Sequence, residues 1–109
     1  MVTLRKTRQL ALSLPESVEQ DHHGRPSFRV GHKIFATLWD ADHMNVMVDP
    51  NRILAIVADN PDACEEFWWG QRLRAVQVTL ATASSPLLVR LLEDAWRFKA
   101  PKRLLSSGR

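Results

Sequence analysis

A chain of 109 residues with 45% apolar and 25% charged side chains is long enough for one domain with a single core, and its proportions argue against disorder. The lone cysteine, Cys64, has no partner for an internal disulfide, which makes a cytosolic setting the expectation. The apolar runs near Met1 are too short for a secretory signal, and no window approaches the ~20 apolar residues of a membrane span.

From Thr3 to Leu14, the residues Leu4, Ala11 and Leu14 fall at helical spacing, with Thr3 as a cap and Pro15 as a stop. Residues 18–23 read as a weak, polar strand at a sheet edge. The clearest strand–turn–strand signal follows, from Gly24 to Trp39. A two-residue Gly31-His32 loop would pair Val30 with Lys33 and mix apolar with polar faces. A three-residue loop, Gly31-His32-Lys33, pairs Val30 with Ile34 and Phe28 with Ala36. The second register is the expected one, because it gathers Phe28, Val30, Ile34, Ala36 and Leu38 on one face. Ser27, Arg29, Phe35, Thr37 and Trp39 then show on the other.

Residues 44–48 read as a further strand. Asp49-Pro50 is a strong helix start, a capping carboxylate before a proline at the first helical position. Ile53, Leu54, Ile56 and Val57 supply its apolar stripe, and Asn60-Pro61 ends it. Residues 62–71, with Trp68 and Trp69 adjacent, have no readable period. Alternation returns from Arg72 to Leu80, and Ser85-Pro86 opens a last helix striped by Leu88, Leu91, Leu92, Ala95 and Trp96. Pro101 closes that helix and Lys102-Arg103-Leu104 follow as a tail. Runs of adjacent strands, without strict β-α alternation, predict an α+β domain. It would be an antiparallel sheet with N-terminal, central and C-terminal helices packed mainly on one face.

The net charge of +3 is unevenly spread. Residues 1–9 and 97–109 carry cations and no acids, whereas all twelve acids lie between them. Close chain ends would therefore make one basic surface. His22, His23, His32 and His43 show no metal-ligand spacing, and neighbouring strand residues such as His22 and His23 face opposite ways. Cys64 has no base placed beside it and there is no glycine-rich phosphate loop, so no catalytic residue, metal or cofactor is expected.

Gly24-Arg25-Pro26-Ser27-Phe28-Arg29-Val30 followed by Lys33-Ile34-Phe35-Ala36 resembles the signature of the MmcQ/YjbR family, small bacterial proteins usually described as candidates for DNA binding. Leu12 to Glu16, Asp49-Pro50, Trp69-Gly70 with Val76 to Leu80, and Ala95 to Arg97 with Ala100 to Leu104 extend the likeness over nearly the whole chain. The resemblance implies a frataxin-like (CyaY-like) fold with two projecting hairpins, or double wings, that bind DNA. Glu65-Glu66 depart from it by placing acid near the second wing. The expected function is a non-enzymatic module binding nucleic acid through Arg25, Arg29, Lys33, Arg72, Arg74, Lys102 and Arg103, with Phe35 or Trp39 as a base platform. The alternative is a protein-interaction module or homodimer using Trp68/Trp69 or the open sheet face.

Overall fold

The computed structural model describes residues 1–106. In chain order its elements are α1 (Leu4–Leu12), β1 (Val18–His22), β2 (Arg25–Val30), β3 (Lys33–Leu38), β4 (His43–Val46), α2 (Pro50–Asp59), β5 (Cys64–Trp69), β6 (Arg72–Thr79), α3 (Ser85–Lys99) and α4 (Lys102–Ser106). The strands form one antiparallel sheet in the order β1-β2-β3-β4-β6-β5. Helices α2 and α3 lie side by side on one face, joined by an Arg52–Asp94 ion pair. The other face stays open.

The caps follow the sequence. Thr3, Asp49 and Ser84 accept hydrogen bonds from the first turns of α1, α2 and α3, and prolines start the latter two. The apolar stripe of α3 is buried throughout, and Leu88, Leu91 and Leu92 together contribute about 5–9 kcal/mol of gross burial energy. Only Ile53 of α2 is fully buried, and Leu54, expected in its stripe, is exposed. On α1 the buried residues are Thr7 and Ala11, while Leu4 faces water. The weakly patterned segment 62–71 is β5 and its turn, an edge strand paired to β6.

The register of the first hairpin differs from expectation. Val30 pairs with Lys33 and Arg29 with Ile34, so the loop is the two-residue Gly31-His32, both at positive φ. Phe28 still pairs with Ala36, because Phe35 is an extra residue bulged out of the ladder. The bulge keeps apolar and polar faces apart without the longer loop. It also carries Phe35, expected on the open face, into the core, and sets Ile34 beside Arg29. The second hairpin repeats this plan: a two-residue Gly70-Gln71 loop, then one extra residue, Arg74, before Phe67 pairs with Ala75. Strands β3 and β6 run in the same direction on either side of β4, so the hairpins are related by half a turn about β4. Equivalent positions therefore face opposite ways: Phe28 and Phe35 point into the core, Phe67 and Arg74 toward the open side.

The Val2 amide donates to the Leu80 carbonyl beyond the end of β6, whereas Pro101 packs on Gly31 at the hairpin-tip end of the sheet, so these two residues lie at opposite ends of it. The terminal cations Arg8 and Arg103 are not gathered as free charge. Arg8 is instead paired with Glu19 and Arg103 with Glu16, and Arg109 lies outside the described residues.

Gly31 and Gly70 hold the same turn position at positive φ, but a β-carbon on Gly31 would lie 2.9 Å from Pro101 Cδ, while one on Gly70 meets nothing within 4 Å. Gly70→Ala is expected to cost about 1 kcal/mol from backbone strain alone. Gly31→Ala is expected to cost roughly 2–4 kcal/mol, because the Pro101 ring must also move. Urea denaturation of the two variants measures the difference.

Candidate nucleic-acid interface

Strand β4 ends at Val46, which pairs with Ala36 and Val76, whereas β3 begins at Lys33 and β6 at Arg72. Both hairpins thus run three or four residues, about 10–13 Å, past the end of β4. The result is a cleft between the two tips, floored by Met47, Val48, Pro50 and the last turn of α3. It is continuous with the open sheet face, and the combined trough encloses about 1080 Å³.

Six cations line it: Arg25 and Arg29 from β2, Lys33 from β3, Arg72 and Arg74 from β6, and Lys99 from α3. No aspartate or glutamate lines it. Among the described residues, the ion pairs are Arg8–Glu19, His43–Asp40, Arg52–Asp94 and Arg103–Glu16, none of which involves a trough cation. Glu65 and Glu66 sit on β5 outside the lining, and Glu66 accepts the Trp68 indole N–H at 2.9 Å.

The floor is a layered stack. The Arg25 guanidinium lies 4.0 Å from the Trp39 ring centre while its Nε donates to the Trp39 carbonyl at 2.8 Å. Trp39 meets Phe67 edge-on at 5.1 Å. Arg29 Nε donates to Ser27 Oγ at 3.2 Å, and its Nη2 is 3.4 Å from His22 Nδ1. Asn45 accepts from Gln77 at 3.0 Å across β4 and β6. None of these partners is a carboxylate, so the contacts of Arg25 and Arg29 orient the guanidinium groups without cancelling their charge.

Of the residues expected to bind nucleic acid, Arg25, Arg29, Lys33, Trp39, Arg72 and Arg74 meet in this one trough. Lys102 and Arg103 do not. They lie on α4, with Arg103 held bidentately by Glu16 at 3.0 and 2.7 Å. That pair pulls the Glu16 carboxyl below its ordinary value through its hydrogen bonds to Arg103. Trp68 and Trp69 face opposite sides of β5: Trp69 borders the trough and is 65% exposed, Trp68 lies outside it at 50%. Two contributors were not foreseen, Lys99 and the 47% exposed Phe98. Phe98 lies off the buried stripe of α3, and a large aromatic there is the signal that would have marked it.

Three histidines, His22, His23 and His32, also border the trough. His23 is not a strand residue but has φ +55 in the turn after β1, which brings its ring to 4.4 Å from His22, contrary to the expected opposite orientations. Among the described residues no group of three His, Cys, Asp or Glu converges as a metal site would require. No helix among them is long and apolar enough to cross a membrane.

Fold and trough together define an α+β domain that presents a trough lined by six cations and by aromatic rings between two hairpins. The chain belongs to the YjbR family, whose model matches residues 12–98. The crystal structure of Deinococcus radiodurans protein DR2400, described by the family domain DUF419, superposes with a TM-score of 0.74 at 24% identity. The match covers 90% of this chain and 78% of that one, and at this identity it speaks to the fold alone. No curated protein matches the chain.

Lys99 is held below its ordinary value of 10.5, first by burial and then by repulsion from Arg74 and Lys33. The folded state thus disfavours its charged form. That penalty is full below the folded value and vanishes as pH rises to 10.5, where the unfolded chain also loses the proton. Lys99→Met should accordingly melt higher than the parent near pH 7, with the gap closing above pH 10.5, as read by paired thermal melts. Burial pushes the Cys64 thiol up to about 11. It should resist thiol reagents at pH 8 in the native state and react once the chain is unfolded in denaturant.

Proposed function

We propose that the trough binds nucleic acid through its phosphate backbone, and that the protein acts as a non-enzymatic binding module in the cytoplasm. The observation that carries this reading is the set of six cations in one trough, with no carboxylate lining it and, among the described residues, no ion pair to any of the six. Like charges gathered this way repel in the free protein, and a polyanion relieves the repulsion while releasing its own counterions. Arginine supplies four of the six, and its planar fork suits phosphate oxygens. The competing reading is a protein partner or second copy held on Trp68/Trp69 or on the open sheet face; the two indoles lie on opposite sides of β5, and the open face that Trp69 borders is lined by cations suited to a polyanion. This favours the trough.

The test is a titration of fluorescently labelled DNA by anisotropy at several salt concentrations. Engagement of about four phosphates gives a log–log salt slope of roughly −2.8 on a single strand or −3.6 on a duplex. The double charge reversal Arg29→Glu/Lys33→Glu is expected to weaken binding at least 100-fold at about 50 mM salt. Absence of saturable binding by micromolar protein at that salt would overturn the proposal.

A further inference from the structure

We infer that the nucleic acid taken by this trough is single-stranded, with unpaired bases stacking on Trp69 and Phe98 in the cleft between the two hairpin tips. This rests on the nucleic-acid reading above and adds the class of strand.

Two of the aromatic faces in the trough are free to take a base. Four aromatic rings line the trough, from Trp39, Phe67, Trp69 and Phe98. Trp39 already carries the Arg25 guanidinium at 4.0 Å and the edge of Phe67 at 5.1 Å, so those two rings form the floor and leave little face for a base. Among the described residues Trp69 and Phe98 stack on no other ring, and they are 65% and 47% exposed. The Lys99 ammonium lies 5.1 Å from the Phe98 ring centre, on a flexible stem that can swing to a phosphate.

The charge is placed to match those faces. Lys33 and Arg72 close the two-residue turns Gly31-His32 and Gly70-Gln71, and with Arg74 and Lys99 they line the cleft between the hairpins, Lys33 on one wall, Arg72 and Arg74 on the other. Each free ring has a cation beside it, Arg72 opposite Trp69 in the ladder and Lys99 next to Phe98 in sequence. Aromatic faces alternating with backbone cations are what a single strand uses, because in a duplex the base faces are already stacked on one another. The bulge at Arg74 builds this arrangement: it frees Arg74 from the ladder and lets Arg72 pair with Trp69 at the cleft wall.

The experiment compares a labelled oligothymidylate with a blunt duplex of equal length, using the parent protein and the exposed-residue variants Trp69→Ala, Phe98→Ala, Trp69→Phe and Trp68→Ala. Melting curves check that each variant is folded. The single strand is expected to bind at least tenfold more tightly than the duplex at matched salt. Trp69→Ala and Phe98→Ala are each expected to weaken it by about 5–150-fold, the equivalent of roughly 1–3 kcal/mol of stacking, with the salt slope unchanged. Trp69→Phe should retain most of the affinity, and Trp68→Ala, on the opposite face, all of it.

Equal affinity for the duplex, with Trp69→Ala and Phe98→Ala silent while Arg29→Glu/Lys33→Glu still abolishes binding, would sink this inference and leave the nucleic-acid reading standing. Polyglutamate displacing the oligonucleotide as effectively as unlabelled oligothymidylate at equal charge would also sink it, since a carboxylate polymer offers no base to stack. No binding of either DNA by the parent protein would remove both.

Discussion

The early end of β4 is the constraint on which the rest of the structure depends. Asp49 caps α2 and Pro50 begins it only four residues after Val46, so the backbone must leave the sheet there. Pro50 has no N–H to offer a ladder, and Asp49 Oδ1 is already accepting from the Asn51 amide. A longer β4 would fill the space between the hairpins. With β4 stopped, β3 and β6 project as two walls, and the last turn of α3 shows through between them. A capping signal that ordinarily concerns helix stability thereby sets the depth of a binding cleft.

Charge in this molecule is sorted by location. Outside the trough, Arg8, Arg52 and Arg103 each meet a carboxylate, while among the described residues no trough cation forms an ion pair with one. Two unit charges about 7 Å apart in water repel by about 0.6 kcal/mol, so any one pair is minor and six together are a standing cost. Lys99 is held below its ordinary value first by its own burial, and repulsion from Arg74 and Lys33 adds to that. A polyanion reverses the sign of that term. The half-buried guanidinium groups are held in place beforehand by Ser27, His22 and Trp39, so little side-chain freedom remains to be lost on binding.

Much of the fold was legible because its signals were local. The stripe Leu88, Leu91, Leu92, Ala95, Trp96 and the starts at Asp49-Pro50 and Ser85-Pro86 needed no tertiary information, and the sequence pattern placed all of them. The first hairpin was harder: segregation of apolar from polar residues is achieved equally by a three-residue loop or by a tight turn with a bulge. Alternation alone does not separate these, and the bulge at Phe35 is what the chain adopts. Segment 62–71 resisted because β5 is an edge strand, with Glu65, Glu66, Trp68 and Trp69 all exposed and only Cys64 fully buried. The trough was legible as a set of cations but not as a shape, since its lining comes from segments far apart in sequence. Lys102 and Arg103 looked equivalent to Lys33 and Arg74 in composition, and only packing separates them: α4 turns Arg103 toward Glu16, while the projecting walls leave Lys33 and Arg74 unmatched.

The most direct test of the central claim, that the cationic trough is where a polyanion sits, is nuclear magnetic resonance of the arginine Nε–H and tryptophan indole N–H groups during addition of oligothymidylate. The account predicts that Arg25, Arg29, Arg72, Arg74 and Trp69 signals move together and saturate, while Arg8, Arg52, Arg103 and Trp68 stay in place. Movement confined to Arg103 and its surroundings, or equal movement of Trp68 and Trp69, would put the contact elsewhere and contradict it.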